Sequence, residues 1–150
     1  MPISKKQRGF TLIELMVIIA LVAIMAGIAV PSFTQFVRNN RVTTQADEIH
    51  RYFQYVRGET VATRKRQEVK FTNSGRTIEG ADRILEISSG LIIKHTPNKF
   101  SYNANGTASE DVAVLVCHED GNEFIMQQVK ISKSGRVSQE LRTRGSDCQI

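Results

Sequence analysis

The sequence predicts an α+β protein in which one long N-terminal helix packs on antiparallel β-sheets. Three observations predict this class: an apolar run over 15–30, apolar residues at helical spacing as far as about Thr63, and short strand-like runs from 68 onwards. A chain of 150 residues fits one domain plus an anchor, and just over a hundred residues remain to form a modest core.

The first part of the chain predicts a membrane-spanning helix over 10–31. The apolar residues from Phe10 to Val30 number about twenty, enough to cross a hydrocarbon core of about 30 Å. Basic residues precede this span, which predicts a cytoplasmic N-terminus and a translocated remainder. Gly27 and Pro31 predict a kink or local melting, because proline removes a backbone donor and crowds the preceding turn.

Glu14 is the exception inside this apolar helix. A carboxylate at membrane depth costs several kcal/mol unless it is paired, so it is a functional hypothesis by default. Two interpretations stay open. Glu14 either lies at the headgroup boundary and reaches water, or pairs with a cation at its own depth. Cleavage after Gly9 would create such a cation at the amino group of Phe10, which a neighbouring copy could present.

The second half of the helix, over 32–66, is predicted to be amphipathic and to pack on a sheet. Its apolar positions recur every three or four residues: Phe33, Phe36, Val37, Val42, Ala46, Ile49, Phe53 and Val56. Arg64, Lys65 and Arg66 follow its end, where cations complement the helix macrodipole. We therefore interpret this run as structural.

Residues 67–150 predict an antiparallel β domain of six or seven strands, followed by an irregular tail. Strand-like runs separated by turn signals cover 68–72, 83–87, 91–94, 100–102, 112–117, 124–131 and 136–141.

Cys117 and Cys148 fall in the part predicted to lie outside the cytoplasm, where an oxidising compartment favours a disulfide. Two cysteines this far apart lack zinc-ligand spacing. His50, His95 and His118 are scattered along the chain, and we interpret them as surface or boundary residues. We expect no metal and no cofactor.

The leader and first turn, Lys5-Lys6-Gln7-Arg8-Gly9-Phe10-Thr11-Leu12-Ile13-Glu14-Leu15, resemble the class III signal peptide of type IV pilins and type II secretion pseudopilins. The resemblance implies a pilin-like fold, removal of leader 1–9 by a prepilin peptidase, and N-methylation of Phe10. It also implies that Glu14 contacts the N-terminus of a neighbouring subunit. The precursor would sit in the bacterial inner membrane with its β domain in the periplasm. It would then enter an extracellular or periplasmic pilus.

Two further stretches are similar to the FimT/GspH group of minor pilins and pseudopilins. Phe100–Gly106 resembles that group's strand and turn ending in glycine, and Ile131–Val137 resembles its Ser-x-x-Gly-Arg-Val hairpin. Many members also carry a cysteine pair where Cys117 and Cys148 fall.

The basic residues near the C-terminus form the best candidate binding surface. Removing the leader leaves 17 basic against 15 acidic residues, so the mature net charge is +2. Lys130, Lys133, Arg136, Arg142 and Arg144 oppose Glu140 and Asp147, a local +3. Such residues suit sequence-independent, salt-dependent contacts with phosphates of double-stranded DNA.

In the family, FimT-type pilins of naturally competent bacteria bind DNA for uptake through a Gly-Arg-x-Arg motif. Here the second arginine is missing, since the chain reads Gly135-Arg136-Val137-Ser138. The alternative interpretation is that these basic residues are ordinary solvated charges.

The sequence contains no catalytic signature, phosphate-binding loop or small-molecule site, and we predict that it is not an enzyme. Three functions stay open. The chain could be a type IV minor pilin that captures DNA in natural transformation, or a structural minor pilin that primes filament assembly. It could also be a GspH-like pseudopilin of a type II secretion system. All three imply other pilin subunits as partners.

Overall fold

The computed structural model describes residues 10–119, 125–142 and 148. The chain divides between Phe36 and Val37 into two compact units, one holding the apolar start of the helix and the other holding all the strands.

A single helix, α1, spans Leu12–Thr63. It is long and apolar enough near its start to cross a membrane by length and composition. Its residues stay helical through Gly27 and Pro31, so of the predicted kink or local melting, the melting is wrong and the kink stays a prediction. Proline removes one backbone donor, and a 52-residue helix tolerates this loss when the neighbouring turns keep their hydrogen bonds. The Thr34 hydroxyl also donates to the Pro31 carbonyl at 2.8 Å.

In the second unit, one face of α1 is buried against the sheets, as the spacing predicts. The buried positions are Val42, Gln45, Ala46, Ile49, Tyr52, Phe53, Val56 and Thr60. Two of the polar ones have hydrogen-bond partners: the Ser88 N–H donates to the Gln45 side chain at 2.9 Å, and the Thr60 hydroxyl donates to the Val56 carbonyl at 2.7 Å.

The prediction that Phe33 and Phe36 belong to the helix face packed on a sheet is wrong. Each residue is 66 % exposed, although both fit the same helical spacing as the buried residues. Both belong to the first unit, whose residues 10–36 are all exposed, while the buried core begins at Val42. Periodicity identifies an apolar stripe but does not say where along the helix the covering sheet begins.

Eight strands follow α1 in the described residues: β1 (Gln67–Thr72), β2 (Thr77–Gly80), β3 (Arg83–Glu86), β4 (Leu91–Thr96), β5 (Lys99–Tyr102), β6 (Val112–His118), β7 (Met126–Ile131) and β8 (Val137–Arg142). The predicted count of six or seven is wrong because β2 was missed. This strand has four residues with a single buried apolar side chain, Ile78, so it carries little alternation to detect. Of the turn predicted over 119–122, only Glu119 belongs to the described residues, and it lies in a turn after β6.

The strands form two four-stranded antiparallel sheets. The first has the order β3-β2-β1-β5 and the second has the order β4-β6-β7-β8. Aromatic side chains from α1 and the first sheet meet in the core, where the ring of Phe53 lies 5.7 Å from that of Phe100 and 6.5 Å from that of Phe71. The predicted α+β class, with a helix on antiparallel sheets, is confirmed.

A disulfide joins Cys117 to Cys148, as the sequence predicts. Cys117 lies in β6 next to Val116, which belongs to the core. Because neighbouring residues of a strand point to opposite faces, Cys117 lies on the outer face of the second sheet. The bond therefore ties Cys148 to the C-terminal end of β6, an inner strand of that sheet.

Candidate functional site

The first candidate site is the start of α1, where Thr11 and Glu14 cap the helix together. The Thr11 N–H and hydroxyl both donate to the Glu14 carboxylate oxygen Oε2, at 2.8 and 2.9 Å, and the Glu14 N–H donates to the Thr11 hydroxyl at 3.3 Å. This reciprocal pattern is a capping box. Sequence reasoning missed it, although Thr-x-x-Glu at the start of an apolar run was visible. Glu14 thus has a structural role in its own chain.

The cap uses one oxygen of the carboxylate. Among the described residues, no side chain or N–H group donates to the second oxygen, Oε1, and Glu14 is exposed. Phe10, Ile13, Val17 and Ile18 line a shallow groove of about 310 Å³ beside it. An apolar groove with one open carboxylate oxygen can hold a cationic group from outside the chain.

The second candidate site is the basic hairpin formed by β7 and β8. Lys130 and Glu140 lie on these two strands, and the Lys130 ammonium donates to the Glu140 carboxylate at 2.6 Å. This hydrogen bond lowers the pKa of Glu140, and the charge of Lys130 adds to the effect. Lys130 is therefore largely neutralised within the chain and contributes less to a basic surface than the sequence suggests.

The turn between β7 and β8 presents Lys133 and Arg136 to solvent. Backbone bonds hold it: the Gly135 N–H donates to the Ser132 carbonyl at 2.7 Å, and the Ser132 N–H donates to the Arg136 carbonyl at 3.0 Å. The Lys133 N–H also donates to the Asp111 carboxylate at 2.8 Å. Neither cation forms an ion pair with the described residues. The turn is thus a fixed platform for two free positive charges.

The other predicted DNA-binding residues do not join this turn. Arg142 ends β8 and pairs with Met126, whereas Arg136 precedes the first residue of that strand. Six extended residues place the two arginines about 20 Å apart. Arg144 lies outside the described residues. The structure therefore divides the predicted cluster, because strand β8 separates its members.

The structure gives a reason for the glycines at 106 and 135, in the two stretches that resemble the FimT/GspH group. Both have φ near +80°, and a Cβ added to Gly135 would overlap the carbonyl oxygen of Gly106. Arg57, from α1, donates its Nε–H to that same oxygen at 2.9 Å. Sequence reasoning missed Arg57, because an arginine on the polar face of a helix gives no sign of a partner 49 residues away.

The three histidines occupy partly buried positions, in line with the prediction. The ring of His95 stacks on Phe71 at 4.1 Å between centroids, His50 lies 3.3 Å from the Gln54 amide, and His118 Nε2 lies 3.3 Å from the Arg38 carbonyl. Over the described ranges, no three histidine, cysteine or acidic residues converge as metal ligands would.

Residues 4–30 match the family model of the prokaryotic N-terminal methylation motif. Curated relatives share the same end of the chain. A fimbrial protein of Pseudomonas aeruginosa is 42 % identical over 45 residues, which are 30 % of this chain and 29 % of that protein. Prepilin peptidase-dependent protein D of Escherichia coli is 50 % identical over 38 residues, 25 % of this chain and 26 % of that protein. The chain thus spans less than a third of the length of these relatives.

Solved structures match the fold more broadly. The type IV minor pilin FimU of P. aeruginosa aligns with a TM-score of 0.57 and 21 % identity, over 65 % of this chain and 91 % of FimU. The minor pseudopilin EpsH of the type 2 secretion system of Vibrio cholerae aligns with a TM-score of 0.58 and 9 % identity, over 67 % of this chain and 96 % of EpsH.

The chain therefore joins an N-terminal methylation motif to the fold of type IV minor pilins and minor pseudopilins. These families are structural, and the prediction that the chain is not an enzyme is confirmed on that ground. The broad resemblance to type IV pilins and pseudopilins is confirmed as well, while the narrower likeness to FimT stays a prediction.

Proposed function

We propose that this protein is a minor subunit of a type IV pilus. It would be made as an inner-membrane precursor, cleaved between Gly9 and Phe10, N-methylated on Phe10 and then assembled with other pilin subunits. The observation that carries the proposal is the apolar stretch Leu12–Val30, whose side chains are all exposed in the isolated chain. Apolar surface of this extent needs a cover, which lipid provides before assembly and neighbouring helices provide afterwards.

In this proposal, residues 1–9 are the cleaved leader, and 10–31 anchor and assemble. Residues 32–66 form the rest of the helix, to Thr63, with the short connection to β1, and 67–150 form the periplasmic β domain. Glu14 selects the assembly register. Its open oxygen would accept the methylated amino group of Phe10 from the neighbouring subunit, because a buried carboxylate gains most from a cation at its own depth.

The variant Glu14→Gln tests this role, because glutamine keeps the capping box but removes the charge. In the bacterium that encodes the protein, we expect Glu14→Gln to be cleaved and membrane-bound as in the wild type, yet strongly depleted from sheared filaments. Ser32→Ala, a change at another exposed polar position of the same helix, should assemble normally. Normal assembly of Glu14→Gln would refute the register role.

The second part of the proposed function is capture of double-stranded DNA for uptake. It is favoured by the β7–β8 turn, which holds Lys133 and Arg136 exposed, without ion pairs to described residues, on hydrogen-bonded backbone. Phosphate contacts need accessible cations rather than a base-reading surface. Lys130, Arg142 and Arg144 are secondary in this proposal, since Lys130 is paired and Arg142 is remote.

Titration of the oxidised full-length protein, in non-ionic detergent, against a random duplex tests DNA capture. We expect micromolar binding at low salt that weakens steeply as salt rises. Lys133→Gln with Arg136→Gln should weaken it, while Arg41→Gln with Arg51→Gln, which removes the same charge from exposed helix positions, should not. Absence of binding at low salt would favour a structural minor pilin or a GspH-like pseudopilin instead.

A further inference from the structure

The loop between β5 and β6 contacts both the end of α1 and the β7–β8 turn. Gly106 lies in this loop and accepts the hydrogen bond from Arg57, and a Cβ added at Gly106 would lie 2.9 Å from a methyl carbon of Val61. The Ala108 N–H donates to the Lys133 carbonyl at 3.0 Å. The last two turns of the helix and the basic turn therefore lie at the same end of the second unit.

Three cations continue directly from that end of the helix. The helix ends at Thr63, and Arg64 adopts a left-handed conformation with φ of 53° that turns the chain towards β1. Arg66 donates its Nε–H to the Ser101 hydroxyl at 2.9 Å, and Ser101 exchanges hydrogen bonds with Ser109, the neighbour of Ala108. Arg64 lies about 10 Å along the helix direction from Arg57.

The charge at this end is strongly positive. The basic end, as we call it, comprises Arg64, Lys65, Arg66, Lys133 and Arg136, all of them exposed. None of the five forms an ion pair with the residues that the structure describes. Glu110 and Asp111 are the nearby acids in the connecting chain, and Asp111 is occupied by the Lys133 N–H. Five cations against two acids leave +3. Arg57 and Glu59 in the last helical turns, and Lys99 and Glu68 in the pocket beside Arg66, add one charge of each sign per pair and leave this sum unchanged.

By contrast, three of the four lysines in the described strands have an acidic partner. Lys70 and Lys99 both lie within 3.3 Å of Glu68, and Lys130 is bound to Glu140. Among the described residues, ion pairing thus offsets part of the positive charge on the sheets and none of the charge at the basic end. A surface of free cations that extends over two structural elements matches a polyanion with closely spaced charges, and duplex DNA carries one per 1.7 Å of its axis.

We propose that Arg64, Lys65 and Arg66 form the second half of the DNA-contacting surface, beside Lys133 and Arg136. This inference rests on the proposed capture of DNA and replaces the remote Arg142 as the partner of the turn. The run 64–66, which sequence reasoning assigned to the helix macrodipole, then contacts phosphates.

The test compares three variants of the oxidised full-length protein in non-ionic detergent, titrated against one random duplex over a range of salt. The first is Arg64→Gln/Lys65→Gln/Arg66→Gln, the second is Arg136→Gln, and the third is the control Arg41→Gln/Arg51→Gln/Arg76→Gln. The first and third variants lose the same charge. In the control, two positions lie on exposed helix surface and the third is paired with Glu119.

We expect the first variant to weaken binding about tenfold or more at low salt and to reduce the slope of log K against log salt by about 2. The control should change affinity by less than about twofold. Thermal unfolding of each variant shows whether the fold is retained.

Wild-type binding that Arg136→Gln weakens, with the first variant no weaker than the control, would overturn this inference and leave the proposed capture of DNA intact. It would also return residues 64–66 to the macrodipole role. No wild-type binding at low salt would overturn both the inference and the capture of DNA.

Discussion

The loop that contains Gly106 and the turn that contains Gly135 pack so closely that one added carbon atom would not fit between them. A Cβ at Gly135 would overlap the Gly106 carbonyl and lie 2.8 Å from Arg57 Nε, and its φ of +80° is unfavourable for any other residue. Gly90 shares that φ but has open space around it. A comparison of substitutions at Gly135 and Gly90 therefore separates the cost of the backbone conformation, which both carry, from the cost of the steric overlap, which only Gly135 carries.

We expect Gly135→Ala to lower the free energy of unfolding by at least about 2 kcal/mol, because backbone strain and overlap add. Gly90→Ala should cost about 1 kcal/mol, from the conformation alone. Urea unfolding followed by near-ultraviolet circular dichroism measures both. An equal decrease in the free energy of unfolding for the two variants would show that the loop around Gly106 moves aside at no energetic cost.

Tyr52 gives a second prediction at this scale. Its hydroxyl lies within hydrogen-bond distance of the Gly80 and Arg83 carbonyls, and burial raises the pKa of Tyr52 to about 12. An unfolded tyrosine has a pKa of about 10, so above that pH the unfolded state releases a proton that the folded state keeps. The stability supplied by neutral Tyr52 is therefore complete below pH 10 and is lost as pH rises towards 12.

We expect the unfolding free energy of the wild type to fall over this alkaline range and that of Tyr52→Phe to fall less. Some decline should persist, because burial also raises the pKa of Tyr102. Urea unfolding at several alkaline pH values provides the test. Identical slopes for both proteins would exclude Tyr52 as a source of the pH dependence.

At the scale of elements, the β2–β3 hairpin has a strained loop that a substitution can stabilise. Gly80 pairs with Arg83, so Ala81 and Asp82 form a two-residue loop, and both have positive φ, 49° and 57°. Such loops favour Asn-Gly or Asp-Gly, because residues with larger side chains are strained in the left-handed region.

We expect Asp82→Gly to raise the free energy of unfolding by about 0.5–1 kcal/mol. Asp82→Ala removes the same charge without relieving the strain and should give no gain. Thermal unfolding of the two variants side by side distinguishes the causes. An equal gain in both would attribute the effect to the charge.

The elements also show what the sequence could and could not predict. Helical spacing predicted an end of α1 near Thr63, although the helical half was bounded at 66, and turn signals located seven of the eight described strands, because both features are local. Phe33 and Phe36 fit the same spacing yet stay exposed, because tertiary packing, and not local sequence, sets which helical residues the sheet covers.

The division of the basic residues was partly predictable, because a strand over 136–141 already implied that Arg136 and Arg142 lie far apart. The contact of Arg57 with Gly106 depends on how distant segments fold together, and no local pattern encodes it. The same holds for the basic end, which combines the end of a helix with a turn about 70 residues later.

At the scale of the whole molecule, the Cys117–Cys148 bond stabilises the β domain. It closes a loop with a sequence separation of 31, worth about 3–4 kcal/mol in the chain-entropy model. Cys117→Ala/Cys148→Ala should lower the free energy of unfolding by about that amount, measured in urea under oxidising conditions. Added reductant should destabilise the wild type and leave the double variant unchanged. A wild type insensitive to complete reduction would contradict this role.

That bond also makes a covalent ring from β6 to the tail, with β7 and β8 inside it. A protease that cuts once between Cys117 and Cys148 opens the ring but releases nothing, since each end stays attached through the sulfur atoms. A subunit nicked there would migrate as a single chain until it is reduced. In the proposed filament, one such cut would therefore leave each subunit in one piece.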